Sequence, residues 1–144
     1  MARPFEIHNP DALTAVLHRA ALATAESTLR QAAASGATVF KDEVIIRVPK
    51  DTGELAEGVT VTYIPEESVA GKLATYAVVV TGTYPNGAHG HKAGMRKSDV
   101  ARLLEFGTSK MAGEPFIRPA FEAKKSEAGV AVVNKIQEVV NSGG

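Results

Sequence analysis

The stretch Pro49-Lys50-Asp51-Thr52-Gly53-Glu54-Leu55 separates two periodicities, and the fold class follows from what lies on either side of it. Upstream, Leu13, Val16, Leu17, Ala20, Ala21 and Leu29 recur at three- and four-residue steps, and Val39, Phe40, Val44 and Val48 resume that stripe. This is the period of an amphipathic helix. Its alanine-rich middle favours helix, Gly36 weakens it without needing to break it, and Pro49 ends it. Downstream, Val59 to Ile64 alternates with β-branched residues, with Val59, Val61 and Tyr63 on one face, which predicts a strand. Within the stretch itself, Asp51 stands three residues before Glu54. That spacing predicts a capping box for a short helical turn, with Leu55 dropping into the core.

Moving outward, residues 1–10 read as an extended arm, with Asn9 or Asp11 placed to cap the long helix and Pro10 near its first position. Pro65-Glu66-Glu67-Ser68 and Gly71 make a loop, and Leu73 to Thr83 reads as a second, more apolar strand. Residues 84–97 are rich in glycine and histidine and read as a flexible loop. Ser98 can cap a short helix whose Val100, Leu103 and Leu104 share a face, and Gly107 stands where a left-handed residue would stop it. Pro119 can open a last helix with Phe121, Ala128, Val132, Ile136, Val139 and Val140 as its buried stripe, before a frayed tail at 141–144. The expectation is a single α+β domain over 1–144: a long N-terminal helix and a C-terminal helix packed on a small antiparallel sheet, with a short helix before the last one.

A chain of 144 residues can bury about two-thirds of its unfolded surface in one core. With 44% hydrophobic and 22% charged residues, the composition is that of an ordinary soluble protein. Cysteine is absent, which excludes disulfides and thiolate metal sites. No apolar run reaches the ~18 residues of a membrane span, and the N-terminus does not have the build of a signal peptide; a soluble cytoplasmic product is expected. The net charge is zero, yet residues 1–72 carry 7 Lys/Arg against 10 Asp/Glu while residues 73–144 carry 9 against 6. Overall balance argues against a free nucleic-acid-binding module, and opposite-sign halves suit head-to-tail packing between identical subunits or, equally, pairing within one monomer.

Asp51-Thr52-Gly53 spells the triplet of aspartic proteases, in which two carboxylates share a proton in a buried loop. Lys50 before it and Glu54 after it would crowd such a dyad, and the helical upstream segment is wrong for it. His89-Gly90-His91 offers two imidazoles on a loop without a third metal ligand. Lys92, Arg96 and Lys97 beside them could meet phosphate without reading bases. The glycines at 87 and 90 lack the spacing of a phosphate-binding loop, and no Ser-His-Asp arrangement can be placed. In Glu105-Phe106-Gly107-Thr108 and Pro115-Phe116-Ile117-Arg118-Pro119, the two phenylalanines are expected as core anchors. Glu105 and Arg118 are expected as an ion pair within or between subunits.

Taken in order, the P-x-D-T-G-x-L block, the E-F-G-T block and P-F-I-R-P-A over residues 115–120 resemble the small head–tail joining (tail-completion, neck) proteins of long-tailed, lambda-like bacteriophages. The resemblance runs over about residues 11 to 140. It implies a structural virion protein with no catalytic site and no cofactor. It implies self-association into a ring of sixfold symmetry between the tail terminator or tail tube and the head connector, with DNA passing through the lumen. Pro49, Asp51, Thr52, Gly53 and Leu55 would mark the bend into the sheet, and Glu105 to Thr108 with Pro115 to Pro119 the junction of sheet and last helix. Many members carry an aromatic-Ala pair before E-F-G-T where this chain has Ala101-Arg102-Leu103-Leu104, and the 84–97 loop is long for the family. That loop would act in ring contacts or face the lumen.

Overall fold

The computed structural model describes residues 9–49, 53–85 and 94–143. In chain order it runs α1 (Pro10–Thr24), α2 (Glu26–Arg47), α3 (Glu54–Glu57), β1 (Val59–Tyr63), a 3-10 turn at Pro65–Glu67, β2 (Tyr76–Val80), α4 (Lys97–Phe106) and α5 (Ile117–Asn141). This is the expected α+β order, with helices flanking a two-stranded antiparallel sheet.

The N-terminal helical stretch is two helices. Asn9 Oδ1 accepts the Ala12 N–H at 3.2 Å and so caps α1. The chain then leaves helical geometry at Ala25, with φ −59° and ψ 142°. Neither glycine nor proline marks that break. The Thr24 hydroxyl donates back to the carbonyls of Ala20 and Ala21, a bond that bends helices, and Glu26 restarts the next helix in a favourable acidic first turn. Gly36, the suspected weak point, lies inside α2.

Gly36 instead sets how closely α2 and α5 pack. A Cβ there would lie 2.8 Å from Val132 Cγ2 and 3.3 Å from the Ala128 carbonyl oxygen. Ala32, Ala37 and Ala128 are buried along the same seam. Further along the same pair of helices, Phe40 stacks on Phe121 with ring centroids 5.0 Å apart.

The strands pair in the register Val59↔Val80, Val61↔Val78 and Tyr63↔Tyr76. β2 is shorter than the apolar run predicts, because hydroxyls capture the chain before it. Ser68 Oγ accepts the Thr75 N–H and donates to the Ile64 carbonyl, and Thr75 Oγ1 donates to the Glu67 carbonyl. At the connected end of the hairpin, Arg30 sits 4.0 Å over the Tyr63 ring.

The core gathers Val44 and Val48 from α2, Leu55 from α3, Val59 from β1, Ala101 from α4, and Phe116 and Ala120 at the head of α5. Phe116 is 1% exposed, and burying such a ring stabilises by about 3 kcal/mol. The core lies where the sequence blocks converge, between the bend after α2 and the start of α5.

Candidate functional site

Gly53 is the N-cap of α3, at φ 77° and ψ −14°, with no side-chain cap bond, and its carbonyl accepts the Glu57 N–H at 3.1 Å. The helix thus begins at Glu54, which stands at its first position rather than at the third that a capping box uses; Asp51 and Thr52 themselves lie outside the described residues. Leu55 is buried as expected, and Pro49 is half-buried just past α2.

The two later blocks form one unit. Helix α4 stops at Gly107, whose φ of 75° and ψ of −176° belong to glycine alone. Its Cβ position would be 2.5 Å from the Gly113 nitrogen, so the return loop lies directly against it. That loop is tied by Thr108 N–H to the Met111 carbonyl and by Glu114 N–H to the Leu104 carbonyl. It delivers Pro115 and Phe116 to Glu105. The Glu105 carboxylate accepts main-chain N–H bonds from Phe116 at 2.7 Å, Ile117 at 2.9 Å and Arg118 at 3.0 Å. These are donors that the first turn of α5 cannot satisfy internally, and a negative charge suits the positive end of its dipole. Burial alone would raise the carboxyl's pKa, but the bonds from Ile117, Arg118 and Phe116, with the Arg118 charge, hold it below its usual value.

This arrangement corrects one expectation and refines another. Within one chain Glu105 accepts the Arg118 main-chain N–H, and the Arg118 charge also lowers its pKa. Phe106, expected in the core, is 74% exposed, while Phe116 takes the buried place. The turn at Gly107 faces Phe106 outward, a consequence of backbone geometry with no signal in composition. Pro119 is the third residue of α5, within the turn where a missing N–H is tolerated.

The 84–97 segment is anchored at both described ends. Tyr84 is buried, its N–H donates to Met95, and Gly94 N–H donates back to Tyr84. Burial, with the Glu54 charge, pushes the Tyr84 hydroxyl above its ordinary pKa. Arg96 is engaged bidentately by Asp99 at 3.0 and 3.1 Å, and Lys97 opens α4 with Nζ 5.9 Å from the Tyr84 ring centroid. His89, His91 and Lys92 lie outside the described residues. Among the described residues no cluster of His, Cys, Asp or Glu could hold a metal ion, and no helix is long and apolar enough to cross a membrane.

What the surface offers is apolar contact area. One open groove of about 630 Å³ runs between α2, α5 and β2, and another of about 710 Å³ lies between β2, α4 and the head of α5. They share Val78, Ile117 and Phe121. Phe106 and Phe121 stand exposed at their margins, and Val16 and Leu17 are exposed on α1.

The family model of bacteriophage HK97-gp10-like tail components matches residues 11–107, about two-thirds of the chain. The chain belongs to this family. Comparison with curated proteins and with solved structures gave no significant match. The chain is thus a structural bacteriophage tail component, as the motif resemblance implied at the level of the family. The matched stretch of the tail component ends at Gly107, yet Glu105 inside it caps α5 outside it. Physically, the folded unit extends through the last helix.

Proposed function

We propose that this tail component acts in the neck of the virion, completing the tail and joining it to the DNA-filled head. In this reading, identical subunits form a ring, sixfold to match the tail, that meets the tail terminator or tail tube on one face and the head connector on the other. Membership of the tail-component family over residues 11–107 carries the proposal. The exposed apolar grooves and α1 supply surface for such contacts. A cyclic ring needs two different patches per subunit that meet repeatedly until closure. Contact with DNA in the lumen would be made to phosphate and would carry no sequence preference.

The test is a phage carrying a nonsense mutation in this gene. Accumulation of filled heads and complete but unattached tails, rescued in the lysate by purified protein, is the expected outcome. Absence of tails, or tails of altered length, would place the protein in tail construction and overturn the neck reading.

A further inference from the structure

We infer that the bend between α1 and α2 is a switch: the chain also runs through Ala25 as one continuous helix from Pro10 to Arg47, which carries α1 from beside α5 to the extension of α2. The inference does not depend on the neck reading. Nothing local compels the bend. Leu22-Ala23-Thr24-Ala25-Glu26 holds neither glycine nor proline and carries two alanines, the best helix former. The Thr24 hydroxyl bonds run back to Ala20 and Ala21 within α1, so a continuous helix keeps them as well. Ala25 departs from helical geometry only through its ψ of 142°, its φ of −59° being that of a helix.

The bend leaves main-chain donors unpaired. The Leu29 N–H reaches the Ala25 carbonyl at 3.0 Å, but the N–H groups of Glu26, Ser27 and Thr28 precede that bond, and Ala25 offers no side-chain cap. Thr28 is 1% exposed, which keeps water from its N–H too. In a continuous helix these three donors meet the carbonyls of Leu22, Ala23 and Thr24. Little on the other side of the balance holds α1 in place. It has no buried residue. Among the described residues its one side-chain bond to α5 is Arg19 to Asn141, an exposed contact of 3.3 Å. Only Leu22 and Ala23 in its last turn are half-buried. The two arrangements are therefore close in free energy. Straightened, the helix is about 57 Å long and carries the exposed Leu13, Val16 and Leu17 away from the end of α5.

The chain has no cysteine, so spin labels at Ala12→Cys and Asp42→Cys, both exposed helical positions, report on the bend alone. Labelled protein is diluted in unlabelled chain, so that double electron–electron resonance reads distances within one chain. A continuous helix sets the two positions about 45 Å apart, and the bend brings them closer. Glu26→Pro suits the bend, because proline is at home at a first helical position after an extended residue, and it forbids the continuous helix. Arg19→Ala removes the bond to Asn141. Circular dichroism melts confirm that both variants fold. The expected result is two distances in the parent, with the population near 45 Å at least doubled in Arg19→Ala and lost in Glu26→Pro. One short distance shared by all three proteins overturns the switch, and so does a 45 Å population that survives Glu26→Pro.

Discussion

Glu105 Oε2 lies 2.7 Å from the main-chain nitrogen of Phe116, eleven residues on, and the same carboxylate reaches the next two N–H groups of α5. A side chain at the end of one helix thereby caps another. The bond holds the return loop closed and places Phe116 in the core. Glu105→Ala leaves those donors unpaired and should destabilise by about 2 kcal/mol in urea unfolding. Glu105→Gln, which keeps one acceptor oxygen, should lose less. Equal stability of all three proteins would remove the cap from the account.

The same carboxyl sets an acid limit. Its pKa is lowered in the fold from the ordinary 4.5. Its stabilisation is therefore complete above about pH 4.5 and fades as pH falls through the lower folded value. The stability difference between wild type and Glu105→Gln should be level near neutrality and shrink below that point. A difference that grows on acidification would reverse the assigned sign.

Gly107 combines a positive φ with a Cβ position 2.5 Å from the Gly113 nitrogen. Gly107→Ala should cost about 3 kcal/mol, from strain and overlap together. Thermal unfolding of that variant at the wild-type temperature would show that the loop yields freely.

Two helical glycines should behave oppositely. Gly36→Leu drives atoms into Val132 and the Ala128 main chain across the α2–α5 seam and should destabilise by about 2 kcal/mol. Gly129→Ala meets nothing and should stabilise by up to about 1 kcal/mol through helix propensity. Chemical denaturation of the pair checks both signs at once.

The two phenylalanines divide structure from assembly. Phe116→Ala, at a 1% exposed site, should cost about 4 kcal/mol. Phe106→Ser, at a 74% exposed one, should leave stability within about 0.5 kcal/mol. If the second surface serves the neck, Phe106→Ser should fold normally yet fail to rescue head–tail joining. Full rescue would remove Phe106 from the contact surface.

Much of the fold was legible because local rules agreed. The three- and four-residue stripe, Pro49, the alternation of Val59 to Tyr63 and the stop at Gly107 each carry a short-range signal, and each corresponds to a feature of the structure. Where hydroxyls or tertiary contacts competed, the pattern misled. The apolar run from Leu73 became a strand only at Tyr76, after Ser68 and Thr75 had taken up the preceding chain. The split at Ala25 carries no glycine or proline; the bonds next to it run from the Thr24 hydroxyl to the Ala20 and Ala21 carbonyls.

The sequence by itself determined the α+β class, the order of elements and the motifs that mark the family, because periodicity, caps and breakers act over a few residues. Only the tertiary structure decided that Glu105 caps α5, that Phe116 is buried while Phe106 is exposed, and that α1 and the groove remain open. Those outcomes depend on which way a chain leaves a turn and which distant N–H groups a carboxylate meets. Both are properties of three-dimensional closure and leave no periodic trace in the chain.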